Sequence, residues 1–388
     1  MLASVFLHPL PSEFYQTTAK WAWISMTAFA NLQGHFNRSI FTAPWSADVA
    51  DPDLAETLAF LNGTDFIAYD LAFFDLFTKH ASVEHLQPLS YQSHEAPCYI
   101  PSTRQLYFVE WGPPGTDGNN GTHNWQYVLD VESNNLRKIT TDPPTINAHG
   151  CVEFQGHLYV VTDGTGTSES GRLVRVNPTT LMMQPLLNNM LGQPFAGFND
   201  LEIDRDGNFW LTDSKSGWGR GLVDFAPPTN PTIYFVNGTT LQSKPVWTTS
   251  GNANGVAISP DSRTLYVPDT GVSEFRPSAK NKYAQRMLWA FDITGNGAVL
   301  SNQRMLGSPV AYFYDGIRAA GNGWLFAGSG DGVDVIHPIT GFVVGSIRIG
   351  GGRNVAVSIE FGENELFIVG KGGVWIVRGM KQGLRRSW

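Results

Sequence analysis

One apolar phrase, set off by polar turns, recurs six times along the chain: Gln105-Leu-Tyr-Phe-Val-Glu110, His157-Leu-Tyr-Val-Val-Thr162, Asn208-Phe-Trp-Leu-Thr-Asp213, Thr264-Leu-Tyr-Val-Pro-Asp269, Gly323-Trp-Leu-Phe-Ala-Gly328 and Glu365-Leu-Phe-Ile-Val-Gly370. Successive phrases stand 52, 52, 55, 60 and 41 residues apart, counted between Leu106, Leu158, Trp210, Leu265, Leu325 and Leu366. That period suits propeller blades rather than a helical solenoid. Turns of hairpin composition precede five of the phrases: Pro101-Ser-Thr-Arg104, Asp206-Gly-Asn208, Pro260-Asp-Ser-Arg263, Gly321-Asn-Gly323 and Gly362-Glu-Asn364. Alternating segments such as Gly171 to Val176 and Met287 to Asp292 add half-buried outer strands. The pattern predicts an all-β propeller over residues 86–388, with each phrase as the second strand of a blade.

Residues 1–85 carry no such phrase and form an N-terminal extension. Asp51 to Phe60 reads as a short helix with acidic residues near its start, and Ala72-Phe-Phe-Asp-Leu-Phe77 as a buried apolar segment. The extension is expected to cover an edge or a mouth of the propeller, or to supply an outer strand that closes the ring. Lys20, the apolar stretch Trp21 to Thr27 and the small-x-small triplet Ala28-Phe-Ala30 also fit a secretory signal, though the preceding polar region is long and poor in basic residues. Secretion and a cytoplasmic location stay equally open. Glycosylation sequons begin at Asn37, Asn62, Asn120 and Asn237, a number that chance nearly supplies.

Composition agrees with many short strands joined by tight turns: 41 Gly, 23 Pro and 12% aromatic residues. With 15% charged residues, a net charge of -8 and a basic run only at Lys381 to Arg386, the chain offers no nucleic-acid surface. No stretch approaches the ~18 uncharged apolar residues of a membrane span. Cys98 and Cys151 are too few for a disulfide scaffold; they form one bridge between the first two blades or remain buried thiols.

Ten to twelve residues before most phrases stands a side chain with a metal-seeking oxygen: Glu95, Asn199, Asn254, Asp315 and, less regularly, Asn354. If each phrase is a second strand, these residues begin the innermost strands and converge on the central axis. Hard oxygen donors suit Ca²⁺, or less readily Mg²⁺ or Mn²⁺, and make a poor zinc cage. Asn and Asp at strand starts also bond local backbone. A Glu and an Asp buried on one axis, however, are costly without a cation or a partner. Blade two carries His149 in this region, fourteen residues before Asp163, the interval that separates Asn199 from Asp213. Its imidazole either takes a proton beside the cation or packs in the channel wall. His94 should face away from Glu95 across its strand, and Asp200 should support Asn199. Long loops at Gly112 to His123, Ser214 to Asn230 and Gly271 to Lys282 are candidate pocket walls, above all Gly217 to Gly221 and Val272 to Arg276.

The segments Glu95-Ala-Pro-Cys-Tyr99, Asn199-Asp200 ahead of Asp206-Gly207, Asn254-Gly255-Val-Ala-Ile-Ser-Pro-Asp261 and Asp315-Gly316-Ile317 together resemble successive signatures of the regucalcin (senescence marker protein), gluconolactonase and fungal lactonohydrolase family. The likeness runs over about residues 90–378, and Ser93-His-Glu-Ala-Pro97 resembles the fungal lactonohydrolase branch. It implies a six-bladed propeller and matches Glu95, Asn199, Asn254 and Asp315 to the family's metal-site positions. The leading reading is a monomeric, calcium-dependent hydrolase of a small-molecule lactone, with Asp315 or His149 as proton acceptor. The family's Glu-Gly-Pro is Glu-Ala-Pro here, and a looser strand, Arg318 to Gly323, follows Asp315-Gly316; neither departure removes a ligand oxygen, and both leave the substrate open. The same scaffold could serve a metal-dependent isomerase, cyclase or dehydratase of secondary metabolism, or a non-catalytic calcium-binding propeller. No Gly-x-Ser-x-Gly elbow or phosphate-binding loop is present, and Asp204-Arg-Asp206-Gly207 runs straight into a strand instead of completing a helical calcium loop.

Overall fold

The computed structural model describes residues 5–89, 93–111, 124–224, 230–295 and 298–381. The expected loop Gly112 to His123 and the basic tail beyond Lys381 lie outside the described residues, as do the side chains of Ser93 and His94. Six antiparallel sheets follow one another around a ring, and every apolar phrase is the second strand of its sheet. Blade one runs Ser93–Ile100, Gln105–Trp111, Trp125–Asp130 and Leu136–Ile139; blade two Ala148–Phe154, His157–Thr162, Leu173–Val176 and Met183–Leu187. Blade three runs Phe198–Ile203, Phe209–Asp213, Thr232–Val236 and Ser243–Thr248; blade four Ala257–Ile258, Thr264–Pro268, Leu288–Thr294 and Val299–Gly307. Blade five is Ile317–Ala319, Leu325–Ser329, Gly332–Ile336 and Val343–Ile347. The phrases are apolar throughout because second strands are covered on both faces by neighbouring blades; Leu106, Leu158, Trp210, Leu265, Leu325 and Leu366 are all buried.

Blade six takes only three strands from the C-terminal part of the chain, Ala356–Phe361, Leu366–Gly370 and Gly373–Met380. Its outermost strand is Phe77–Pro88, paired antiparallel with Val83 opposite Val377 and Glu84 opposite Ile376. The ring is therefore closed by the N-terminal region, one of the roles expected for it. Blade five is also extended by that region: Phe66–Ala68 adds antiparallel to Val343–Ile347, and Trp21–Trp23 adds parallel to Phe66–Ala68. Trp21, in the stretch that reads as a signal core, is buried and stacks on Phe66 at 4.1 Å. The predicted helix is Pro52–Asn62, capped by the Asp51 carboxylate on the amides of Asp53 and Leu54, with Pro52 in the first turn. Arg348, fully buried, ties that helix to blade five through the carbonyls of Leu61 and Thr64 and a two-point ion pair with Asp331. No described helix is long and apolar enough to cross a membrane.

Two features of the axis position the site. Cys98 and Cys151 face each other from the first strands of blades one and two as free, buried thiols, and burial pushes both thiol pKa values up. Arg318, on the first strand of blade five, crosses the channel: it bonds Asp200 of blade three at 2.9 Å, the carbonyls of Cys151 and Val256 at 3.4 Å, and lies 3.5 Å from Glu360 of blade six. One buried cation thus links the inner strands of five blades.

Candidate active site

The innermost strands meet at one level near their starts, and their contacts fix the common register. The Gly255 amide donates to the Asp315 carbonyl, and the Gly316 amide to that of Val357. An added Cβ at Gly150 would come within 2.7 Å of Asp200 Cα, one at Gly255 would collide with the Asp315 carbonyl oxygen, and one at Gly316 would strike Ser358. Aligned by these contacts, the ring of residues is Glu95, His149, Asn199, Asn254, Asp315 and Val357. The glycine after three of them lets the next blade's strand approach closely. In blade three Asp200 replaces that glycine, and its carboxylate accepts from the Val256 amide at 3.2 Å besides binding Arg318. Asp200 is thus paired with Arg318 and the Val256 amide, and its carboxylate is turned to these groups rather than to the Asn199 side chain that it was expected to support.

Ladder irregularities aim these side chains. Register shifts fall between Glu95 and Cys98, Ala148 and Gly150, Phe198 and Leu201, and Ala356 and Ser358. A bulge sets two residues against one and turns a side chain out of the alternation, here toward the axis. Ala96 and Asn147 adopt left-handed backbone at these shifts, with φ of 53° each. In blade six the register puts Val357 at the level of the other five. Asn354 instead packs beside Gly350 and Gly372, so it does not join the axial set. Spacing from the apolar phrase singled it out, but it enters the blade ahead of the first strand, Ala356–Phe361, and three positions before the residue that reaches the axis.

The ring carries two carboxylates, two amides and an imidazole. His149 Nδ1 lies 2.7 Å from Asp163 Oδ2, Asn199 Nδ2 lies 3.1 Å from His149 Nε2, and Glu95 Oε1 lies 3.6 Å from the same nitrogen. Asn254 donates to Thr270 Oγ1 at 3.3 Å, which orients its amide. Burial pushes the Asp315 carboxyl well above its ordinary range, and the facing charge of Glu95 raises it further. For His149, burial works against the charged ring, but Asp163 together with the Glu95 contact outweighs burial and Arg220 and raises it to about 9. The Asn199 amide, in contrast, suits a ring whose Nε2 accepts. These two states of the imidazole differ by the one proton that a base takes up.

Asp163 and Arg220 complete a cluster that spacing alone did not reveal. Asp163 is fully buried and accepts from Ser216 Oγ at 3.1 Å; its carboxyl is held below the ordinary range, because the charges of His149 and Arg220 outweigh burial. Arg220 Nη2 lies 3.2 Å from Asp163 Oδ2 and 3.0 and 3.1 Å from the two ring nitrogens of His149, while its guanidinium stacks on Trp111 at 4.2 Å. Arg220 is delivered by the single-turn helix Ser216–Gly219. Gly219 packs so tightly on the Phe275 ring that a Cβ would overlap it, and Arg276 lies over Trp218 at 4.7 Å. The two loop segments expected to wall a pocket therefore lean on each other above the ring. The pattern Gly217-Trp-Gly-Arg-Gly221 held the clue: a cation flanked by small residues is one that backbone can approach.

Asp163, Asp213 and Asp269 occupy the same place, just past or at the end of the second strand, in blades two, three and four. Asp213 accepts from the amides of Ala196 and Gly197, and Asp269 from those of Asn252 and Gly271 and from Thr249. Those two brace the loop before the inner strand. Only Asp163 of the three is turned to an imidazole.

The donor set fits a hard divalent cation. Among the described residues no group of three or more His, Cys, Asp or Glu forms a metal cluster, so any cation here depends on the amide oxygens of Asn199 and Asn254 as well as on the two carboxylates. Burial first, and then the charge of Glu95, drive Asp315 upward, and a cation held between the two acids would relieve that cost.

The SMP-30/Gluconolactonase/LRE-like region matches residues 94–370, spanning all six phrases. The chain belongs to this family. Among its relatives is a lactonohydrolase, oryL, of Aspergillus oryzae, 29% identical over 92% of this chain and 84% of that protein. A second lactonohydrolase of the same organism, oryH, is 26% identical over 80% of this chain and 77% of its own length. Among solved structures, a gluconolactonase of Xanthomonas campestris superposes with a TM-score of 0.66 at 21% identity, covering 81% of this chain and 94% of the other. A calcium-binding protein, regucalcin, of Agrobacterium tumefaciens gives 0.56 at 14% identity, covering 77% and 94%. For an SMP-30/gluconolactonase member the match beginning at His94 and ending at Gly370 coincides with the ring's own inner strands, and the first 93 residues lie outside it.

Proposed function

We propose that this chain is a metal-dependent hydrolase that opens a small-molecule lactone. The observation that carries the reading is the buried Asp163–His149 pair standing in the ring of Glu95, Asn199, Asn254 and Asp315, within a family whose named relatives include lactonohydrolases. Glu95, Asn199, Asn254 and Asp315 would hold the cation, Ca²⁺ by their hardness, with Mg²⁺ or Mn²⁺ as lesser fits. When bound, the cation supplies Lewis-acid stabilisation of the negative charge that grows on the lactone carbonyl oxygen. His149, whose raised pKa the charge of a bound cation would draw back down, takes the proton of the attacking water and returns it to the ring oxygen as the ester bond breaks. Asp163 fixes the ring with Nδ1–H toward itself and stabilises the imidazolium that forms. Asp315 is the second candidate proton acceptor; its hydrogen bond to Asn254 places it beside another residue of the ligand set. Arg220, stacked on Trp111 and 29% exposed, aligns the pair and would meet the polar side of the substrate.

The reading is tested with a panel of aliphatic and sugar lactones, before and after chelation, in oxygen-18 water. Hydrolysis lost on chelation, restored by Ca²⁺ and accompanied by one solvent oxygen in the product supports it. Turnover without solvent oxygen points to an isomerase or cyclase, and turnover indifferent to chelation removes the cation from the mechanism.

A further inference from the structure

Along the outer strand of blade five, the N-terminal extension lines a cavity of about 460 Å³. Its walls come from Ile24, Leu54 and Leu58 of the extension and Val310 and Val343 of blades four and five, and its lining is overwhelmingly apolar. The mouth is rimmed by Met26, Phe36 and Phe342, which are 53, 57 and 74% exposed, an unusual density of exposed large hydrophobic residues. A volume in the small-molecule range, an apolar wall and very few polar groups are the marks of a ligand pocket. Leu54, Leu58 and Trp45 line it from one side, packed on one another in the core of the extension.

One cation stands in that wall. Arg38 donates through Nη1 to the carbonyls of Val310 at 2.9 Å and Thr42 at 3.2 Å, and among the described residues no carboxylate forms an ion pair with it. Asp331, the one acid whose charge Arg38 feels among the described residues, is hydrogen-bonded to Arg348 and to the indole of Trp45. Arg286 stands close enough to feel its charge and is likewise bonded only to carbonyls and a serine hydroxyl. Burial draws both guanidinium pKa values down; Tyr69 and Asp331 offset this in part for Arg38, while Arg38 lowers Arg286 further. An apolar chamber lined by a guanidinium with no carboxylate in ion-pair contact among the described residues suits an apolar ligand bearing an anionic end.

We propose that the cavity between the N-terminal extension and blade five is a binding site for an aliphatic carboxylate, its chain among Ile24, Leu54 and Leu58 and its carboxylate on Arg38. The site is independent of the axial ring and of the reaction assigned to it. Titration calorimetry with decanoate and decan-1-ol, both below their aggregation concentrations, tests the proposal on the full chain. One molecule of decanoate is expected per chain, bound at least tenfold more tightly than decanol. Arg38→Gln should weaken decanoate about tenfold and leave decanol within twofold; Ala47→Trp, which fills the chamber, should abolish both; Asp315→Asn should change neither. Crystals soaked with a terminally brominated decanoate guard against a filled variant that misfolds, because the bromine must appear between Leu54 and Leu58. Absence of decanoate binding, equal affinity for the alcohol, binding that survives Ala47→Trp, loss with Asp315→Asn, or bromine elsewhere would each overturn it.

Discussion

At the scale of single residues, what separates chemistry from scaffold is the partner that each of several similarly placed side chains finds. Asp163, Asp213 and Asp269 are alike in sequence, yet two of them brace backbone amides and one binds an imidazole. Asp163→Asn keeps the volume and removes the charge that steadies the His149 imidazolium. Lactone turnover is expected to fall about 10²- to 10⁴-fold, the range of a lost general base, with KM little changed, as read from steady-state kinetics. The same exchange at Asp269 should lower stability and leave kcat within a few-fold. Gly255 makes a different demand: a methyl group there meets the Asp315 carbonyl. Gly255→Ala is predicted to cost about 1–3 kcal/mol in denaturant unfolding, the usual cost of overpacking. Gly156→Ala meets no atom within 4 Å and bears only the strain of its φ of +79°. Glu95, Asn199, Asn254 and Asp315 were legible as inner-strand residues because each stands ten or eleven residues before Leu106, Trp210, Leu265 or Leu325 of its apolar phrase. Asp163, Arg220 and Trp111 were not, since nothing in a linear pattern says which of three similar aspartates turns inward.

At the scale of elements, the phrases were legible because second strands are buried on both faces, so their hydrophobicity is continuous and strong. First strands were harder. Their bulges break the alternation that sequence reading relies on, and blade four's first strand shrinks to Ala257–Ile258. The outer strand Phe77–Pro88 escaped any phrase because it alternates buried and exposed residues irregularly along a sheet edge. Its partner across the sequence is the last strand, Gly373–Met380, and the pairing joins the two ends of the ring. Removing residues 1–88 should therefore leave the Gly373–Met380 edge bare and expose Phe326 and Phe361, which pack with Phe73, Phe74 and Phe77 in one cluster. Aggregation on size-exclusion chromatography and loss of a cooperative thermal transition are expected; a monomer that still melts cooperatively would show that the ring closes without this strand.

At the scale of the whole molecule, the axis is an electrostatic spine. Arg318 reaches the inner strands of blades two, three, four and six from its own, and its guanidinium balances Asp200 and Glu360. Arg318→Met leaves those carboxylates buried without their cation and is predicted to lower unfolding free energy by about 3–5 kcal/mol, measured by urea denaturation. The acid Asp213 gives stability a dependence on pH. Burial lifts its carboxyl to about 7, against the amide bonds from Gly197 and Ala196. A carboxyl raised on folding stabilises the native state fully below its unfolded value near 3.8 and loses that contribution as pH rises through 7. Relative to Asp213→Asn, which does not titrate, the native chain should lose on the order of 4 kcal/mol between pH 4 and 8, because each pH unit between the unfolded and folded pKa values is worth about 1.4 kcal/mol. Denaturant midpoints across that range check the sign and the size.

The sequence by itself determined the all-β architecture, the number of phrases, the oxygen donors that precede them and the family likeness, because each is written in short periodic stretches whose burial is the same in every blade. Only the tertiary structure decided which residues share one level of the axis, since bulges and inter-blade glycine contacts set that register across some fifty residues of chain. It placed Val357 rather than Asn354 in the ring, turned Asp163 and Arg220 onto His149, closed the ring with Phe77–Pro88 and opened a separate apolar chamber beside Arg38. Local pattern carries burial; convergence of side chains from distant strands depends on how the strands pack.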